Sequence, residues 1–493
     1  MKVYLVGAGP GDPGLITLKG RKALERADCV LYDHLASEQL LQYAPAQAER
    51  IYVGKKRAKH EMTQEEISAL MIDRARKGLT VVRLKGGDPF IFGRGGEEIE
   101  ALADAGVPFE IVPGVTTPLG LAAYTGVPLT HRAHTSAVTF VTGHRVDAID
   151  WSKAGASETV VLFMGLVNFA AIAQELIRHG RSPDTPAMAV RWATRPDQET
   201  VVGTLASLPS LIAQQHLRPP ATIVIGEVVG LRDRFNWFEN LPLFGKKIVI
   251  TRDRRQAAEL AAPLSELGAE PILLPAIEVR EAEDPEPLDQ AIARLRTYDW
   301  LIFTSVNGVK YFMDRLDRSQ RDLRALSSVR LCAIGPATRA AVEALHLKVD
   351  LMPQEYVAEA LVAAFTDEHL NGRRILLPRA AVARDLVPKE LTRRGASVEV
   401  VEAYRTVAPA GLAEHAAEVF ARKPDWITFG SSSAIKNLIA AAGPAPLTRV
   451  KIASIGPVTS ATIRENALDV DAEGSPYTME GLIAALVKAS GSA

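Results

Sequence analysis

Cysteine is almost absent from this chain: Cys29 and Cys332 are the only two in 493 residues, and they lie far apart in apolar, strand-like runs. That excludes a disulfide framework and a cysteine-based metal site, and it predicts reduced, buried thiols. Net charge is also lacking. A formal charge of -1 gives no global field for nucleic acid or an anionic membrane, so neither is expected as a partner and any anionic ligand must meet local basic clusters. No run approaches the ~18 apolar residues of a membrane span. The opening MKVYLVGAGPGDPG reads as strand and turn, not as a basic-then-apolar leader, so a cytoplasmic location is expected. The remaining composition, 47% hydrophobic and 23% charged, is that of an ordinary globular protein. The chain is too long for one core, and at about 150 residues per domain it predicts three or four folding units.

What is present is glycine at strand ends. In Val81 to Glu98, VVRLKGGDPFIFGRGGEE, a β-branched strand runs into Gly86-Gly87-Asp88-Pro89, and Gly93 and Gly95-Gly96 follow before Glu97 and Glu98 open a helix with acids in its first turn. Glycines around Phe90 and Phe92 let backbone approach a flat ligand. The same grammar starts the chain: Lys2 to Val6 is a strand, GAGPGDPG a turn, and LITLKGRKALERA a helix. A second strand, Cys29 to Tyr32, ends at Asp33. Gly7, Gly9 and Asp33 fit a dinucleotide fingerprint, but Asp12-Pro13 stands where that fold needs a small residue.

Ile51 to Val53 is a strand that leads into Gly54-Lys55-Lys56-Arg57, cations at the strand end where open α/β sheets bind ligands. Thr63 and Glu66 form a capping box on the next helix. Further strands are expected at Phe109 to Val112, Val138 to Thr142, Thr159 to Met164, Ala187 to Arg191 and Ala221 to Val229. Pro113-Gly114 reads as a joint between two lobes, and Phe235 to Phe238 with Leu241-Pro242-Leu243 as a linker.

GAGPGDPGLITLKG, VLYD, VGKK, RLKGGDPFIFGRGGEE, VPGVTTPLGLAAYTGVPLTHR, FVTGH and FMG, in that order, resemble the uroporphyrinogen-III C-methyltransferase family over about residues 1 to 240. The resemblance implies a two-lobed tetrapyrrole methylase over residues 1–243 (lobes about 1–113 and 114–243). It implies S-adenosylmethionine in the interlobe cleft, S-adenosylhomocysteine as product, and a homodimer formed through this half. The positions matching cofactor contacts are Pro10, Gly86, Gly87, Asp88, Ile91, Thr116, Thr117, Met164 and Ala193. Ala193 replaces a common glycine and Thr117 a common alanine, both small changes. Asp33 and Lys55 match the proton acceptor and donor. Methylating a pyrrole carbon leaves a cationic ring that must lose a proton, which a carboxylate can take. The poly-carboxylate substrate gives Arg57, Lys59, Arg94, His131 and Arg132 a binding role through charge-assisted hydrogen bonds.

The C-terminal half is a duplication. Segments from Lys246, Asp299 and Val329 match segments from Arg373, Asp425 and Val450, an offset of about 120 to 130 residues, and each copy alternates apolar strands with helices. Two like parallel lobes suggest a cleft walled by Thr304 to Gly308, Gly335 to Thr338, Gly430 to Ser433 and Gly456 to Thr459. Hydroxyls and amides at helix starts there, among them Ser305, Thr338 and Ser432, suit carboxylates.

TSVNGV, AIGPAT, VVEAYRT and SIGPVT resemble uroporphyrinogen-III synthase, a domain expected over residues 244–493 with lobes of about 245–278 plus 409–493, and 279–408. The resemblance implies cofactor-free closure of hydroxymethylbilane with inversion of the last ring, a task of holding a flexible poly-anion in one conformation. Tyr404 matches the proton donor to the leaving hydroxyl, Thr304 and Thr459 match substrate-orienting positions, and Arg252 and Arg379 would contact carboxylates. Joined, the halves would make uroporphyrinogen III and methylate it twice to precorrin-2, toward sirohaem or cobalamin, with no metal. Two other readings stay open: a nicotinamide-dependent oxidoreductase, and a methylase governed by a non-catalytic two-lobed ligand sensor.

Overall fold

A computed structural model describes residues 2–54, 62–365, 370–382 and 385–491. The chain is α/β and divides into two compact units, residues 1–246 with 264–270, and 247–263 with 271–493.

The N-terminal unit holds two five-stranded sheets. In the first, the order is Glu49–Tyr52, Cys29–Tyr32, Thr80–Lys85, Lys2–Gly7, Phe109–Val112, all parallel. Helices on both faces leave no room for alternation, so Val3, Leu5, Val30, Leu31, Val81 and Val82 are all buried. Parallel pairing puts every strand's C-terminal end on one edge. Lys2 to Gly7 pairs with Thr80 to Lys85 in step, and the loops after Gly7 and Lys85 therefore emerge side by side. They are joined by Gly9 and Gly87, whose N–H groups each donate to the other's carbonyl at 3.2 and 2.7 Å. Gly114, after Phe109–Val112, crosses so closely that a Cβ on Gly7 would sit 2.5 Å from its Cα. The helix Gln64–Arg76 carries the expected capping box, Thr63 and Glu66 satisfying each other's backbone N–H.

The second sheet orders Val138–Thr142, Thr159–Phe163, Ala221–Ile225, Pro186–Arg191, Glu199–Thr204, with only its first pair parallel. Two expectations need correction. The strand expected to reach Val229 stops at Ile225, because Gly226 takes φ +150° and a turn follows. Phe235 to Phe238 is no free linker: Trp237 donates its indole N–H to the Ala123 carbonyl at 2.8 Å, and buried Phe238 packs edge-on against Tyr124.

The C-terminal unit repeats one sheet. One runs Glu270–Leu273, Lys247–Ile250, Trp426–Phe429, Lys451–Ser454, Ala472–Glu473; the other runs Glu278–Glu281, Ser397–Val407, Arg374–Ala380, Trp300–Phe303, Arg330–Ala333. Each lobe thus combines the first strand of one sequence copy with the later strands of the other. The match reaches single hydrogen bonds. Asp299 accepts the Arg374 N–H at 2.9 Å as Asp425 accepts that of Lys247 at 2.8 Å. Asp350 accepts the Leu331 N–H at 2.7 Å as Asp471 accepts that of Ile452 at 2.7 Å. Ser305 and Ser431 cap the helices Val306–Arg318 and Ser432–Ala442 with the same backbone angles, φ −164° in both.

Both cysteines are free and buried, and burial pushes each thiol up to about 12. Neither is expected to react with a chromogenic disulfide reagent at pH ~8 in the folded protein; two thiols should titrate only after denaturation, and rapid reaction of the native chain would contradict this burial. No described helix is long and apolar enough to cross a membrane, and no metal-ligating cluster occurs among the described residues.

Candidate active sites

The strand-end loops of the first sheet face the second lobe across a cavity of about 500 Å³. All nine candidate cofactor positions line it: Pro10, Gly86, Gly87, Asp88, Ile91, Thr116, Thr117, Met164 and Ala193. Asp33 and Arg94 line it as well. Asp88 ties two of the loops together, accepting the Gly114 N–H on Oδ2 at 3.0 Å and the Phe90 N–H on Oδ1 at 2.8 Å. Gly87 has φ +65°, a region that side chains rarely enter. Its loop therefore presents backbone where any other residue would carry a strained Cβ. The lobes are linked beside the cavity, where the Asp12 N–H donates to Thr194 Oγ1 at 2.9 Å and Tyr124 donates its hydroxyl to the Asp12 carboxylate.

Phe92, Arg94, Met164 and Trp192 line the cavity with φ between +50° and +56°. Each such residue costs on the order of 1–3 kcal/mol, strain that clusters where a ligand is held. Trp192, which sequence reasoning did not single out, carries the Arg195 guanidinium 4.2 Å from its ring centre and meets His34 edge-on. No local signal marks it, since its position depends on a backbone turn between lobes.

The cavity floor was also illegible. Arg83 and Lys85 sit on the strand Thr80–Lys85, yet both are buried, facing Glu98 on the helix Gly95–Asp104. Glu98 stands in the first turn of that helix, as expected for an acid there, and is fully buried. Its Oε1 accepts from Lys85 Nζ at 2.8 Å, Gln64 Nε2 at 3.0 Å and Arg83 Nε at 3.2 Å. Arg83 reaches on through Nη2 to Asp33 Oδ2 at 3.1 Å, and Asp33 Oδ1 accepts the Leu35 N–H at 3.0 Å. Burial, and next the Arg83 charge, holds the Lys85 ammonium below its usual value.

Other candidates are less gathered. Lys55, Arg57 and Lys59 lie outside the described residues. His131 and Arg132 stand on the loop before the second sheet, with His131 bridged to Thr135, and are not among the residues lining the cavity. Arg94 lines the rim but pairs with Glu97 on the exposed side.

In the C-terminal unit a cavity of about 760 Å³ opens where the two lobes meet, bounded by Val306, Asn307, Lys310, Tyr311, Arg280 and His415 among others. Tyr404 is one layer behind it: its ring stacks on Tyr311 with centres 5.8 Å apart, and its hydroxyl lies 2.9 Å from Ser305 Oγ. Burial pushes the Tyr404 phenol up, the Ser305 hydrogen bond opposing. Thr304 follows Trp300–Phe303 and is half-buried. Thr338 and Thr459 are buried in the first turns of Pro336–Glu343 and Pro457–Glu465, while Ser432 is half-buried and accepts from Thr462 Oγ1 at 2.8 Å. Arg252 is held by Gln256 and Met479, and Arg379 by Asp385. None of these eight substrate and donor candidates lines the 760 Å³ cavity.

Comparison with known proteins agrees with this two-part layout. The family model for tetrapyrrole (corrin/porphyrin) methylases matches residues 2–209, and that for uroporphyrinogen-III synthase HemD matches residues 258–484. The porphyrin biosynthesis protein HemD of Ruminiclostridium josui is 34% identical over 99% of this chain and 98% of its own length. The siroheme synthase of Pseudomonas entomophila is 51% identical over 48% of this chain, which spans about half (52%) of that relative. Among solved structures, the uroporphyrin-III C-methyl transferase of Thermus thermophilus complexed with S-adenyl homocysteine is 43% identical, covering 47% of this chain and all of its own, with a TM-score of 0.41. With one relative matched from end to end and a family model on each half, the chain belongs to the family that joins a tetrapyrrole methylase to a uroporphyrinogen-III synthase.

Proposed function

We propose that the C-terminal unit closes hydroxymethylbilane to uroporphyrinogen III without a cofactor, and that the N-terminal unit methylates that product twice, giving precorrin-2. The observation that carries this reading is the interlobe cavity, where all nine expected cofactor positions meet around backbone. S-adenosylmethionine supplies the methyl group and leaves as S-adenosylhomocysteine. A backbone-lined cradle fits it: the glycine loop Gly86 to Asp88 borders the cavity together with Met164 and Ala193. The chain's own task is alignment of donor and ring, which supplies much of such an acceleration. Asp33, at the cavity wall and already oriented by Arg83, takes the proton that the methylated ring must lose. Lys55 is assigned the return of a proton, and Arg57, Lys59, Arg94, His131 and Arg132 the substrate carboxylates.

In the synthase, Tyr404 donates its proton to the departing hydroxyl, which leaves as water, and the raised phenol keeps that proton available at neutral pH. Thr304, Ser305, Thr338, Ser432 and Thr459, with Arg252 and Arg379, hold the bilane at the cleft. The reading includes a cytoplasmic homodimer formed through the N-terminal unit, on which Leu18, Leu119 and Val167 remain exposed. The siroheme synthase relatives favour sirohaem as the end of the route.

Calorimetric titration of the full chain tests the cofactor assignment. S-adenosylmethionine and S-adenosylhomocysteine should each saturate the protein while NAD gives no heat. Saturation by NAD alone would replace the methylase reading with the nicotinamide one.

A further inference from the structure

We infer that Glu98 is a positioning residue for methyl transfer, fixing Asp33 through the Arg83 guanidinium and anchoring the charged floor of the cavity. The inference rests on the methylase reading and goes beyond it, since nothing in the cofactor or substrate assignments calls for an acid on this helix.

The argument starts from burial. Arg83 and Lys85 are each 4% exposed and Glu98 is 0% exposed, so three formal charges lie out of water under one cavity. Buried cations persist only with partners, and here the partners are Glu98 from the helix and Asp33 from the neighbouring strand end. Two cations face two carboxylates. Glu98 concentrates its bonds on one oxygen, Oε1, which accepts from Lys85, Gln64 and Arg83; Oε2 is buried with no partner among the described residues. A carboxylate serving the fold alone would be satisfied on both oxygens, or replaced by packed apolar volume at little cost. This one instead faces the underside of two cavity-lining side chains.

Arg83 transmits the restraint. Its Nε is on Glu98, its Nη1 on the Leu84 carbonyl at 2.9 Å and its Nη2 on Asp33. Every guanidinium nitrogen is engaged, so the planar fork has one orientation and Asp33 is held from below. Asp33 is then fixed on both oxygens, by Arg83 and by the Leu35 N–H. Removing the Glu98 charge frees the fork to turn, and Asp33 loses its set position relative to the bound ring. Placement errors of ~1 Å are enough to cost about a hundredfold in rate.

The test is Glu98→Gln in the full chain, with S-adenosylmethionine affinity by calorimetry, KM and kcat for uroporphyrinogen III, and the double variant with Asp33→Asn. The amide keeps the volume and an acceptor oxygen, so the cofactor Kd and substrate KM should stay within about threefold while kcat falls about tenfold to a hundredfold. Because Glu98 acts through Asp33, the double variant should be no slower than Asp33→Asn alone. A kcat within twofold of the wild type, or losses that multiply in the double variant, would overturn the inference. Should Glu98→Gln not fold, Arg83→Lys keeps the cation but cannot bridge both carboxylates; it should show the same split, and an unchanged kcat there would equally overturn it. A wild-type chain that forms no methylated product would remove the methylase reading itself, which is a different result.

Discussion

Replacing Gly87 with valine is expected to raise the Kd for S-adenosylmethionine by more than about a hundredfold, while cyclisation of hydroxymethylbilane by the same protein continues at the wild-type rate. Gly87 has φ +65°, and a β-branched residue held there costs on the order of 1–3 kcal/mol before any contact is counted. The loop cannot relax freely, since Gly87 exchanges hydrogen bonds with Gly9 and its carbonyl lies close beneath Gly114. Valine's methyls would also project toward Thr117, whose Oγ1 is already 3.4 Å from the Cβ position. Strain and occupancy act in the same direction, and both fall on the cradle. The C-terminal unit is a separate compact unit, and cyclisation is the activity proposed for it, so the cyclisation rate serves as an internal control. Calorimetry and a bilane assay on one preparation check both halves of the prediction.

Asp33→Asn is expected to lower kcat for methyl transfer by about a hundredfold to ten-thousandfold, with cofactor affinity little changed. The amide has the shape of the carboxylate, and its one carbonyl oxygen can keep the Leu35 N–H, so the loop should keep its place, while the NH2 group in place of the other oxygen cannot accept from Arg83. What it lacks is basicity. The buried floor would also carry one negative charge fewer against Arg83 and Lys85. Single-turnover methylation of uroporphyrinogen III separates this from binding. A kcat equal to the wild type would remove Asp33 from the proton-transfer role and leave it as a loop anchor.

Much of the architecture was legible because its signals are local. β-branched runs such as Val81-Val82 and Val3 to Val6 mark strands buried on both faces, and glycines directly after them mark the ligand edge of a parallel sheet. The duplication was legible from matched segments, and the paired Asp299 and Asp425 bonds explain why an aspartate precedes the tryptophan in both copies. Other features depend on contacts distant in sequence. Arg83 and Lys85 read as polar interruptions of a strand, and only the helix Gly95–Asp104 packing beneath them turns them and Glu98 into a buried network. Trp192 reaches the cavity through a backbone angle that its sequence neighbours do not announce. The strand Glu199–Thr204 was missed because, paired only with Pro186–Arg191 at a sheet edge, its ETVVGT sequence has a short apolar signal. In the synthase, hydroxyls that looked like wall residues are divided between half-buried Ser432 and buried Thr338 and Thr459, a difference of depth that the matched sequence segments do not show.

Product analysis of the purified full-length chain supplied with hydroxymethylbilane, with and without S-adenosylmethionine, bears most directly on the coupling of the two units. Without the methyl donor the product should be the type III isomer of uroporphyrinogen. With it, that product should give way to a species heavier by two methyl groups, accompanied by S-adenosylhomocysteine. Accumulation of the type I isomer alone, or a type III product whose mass the donor leaves unchanged, would contradict the account.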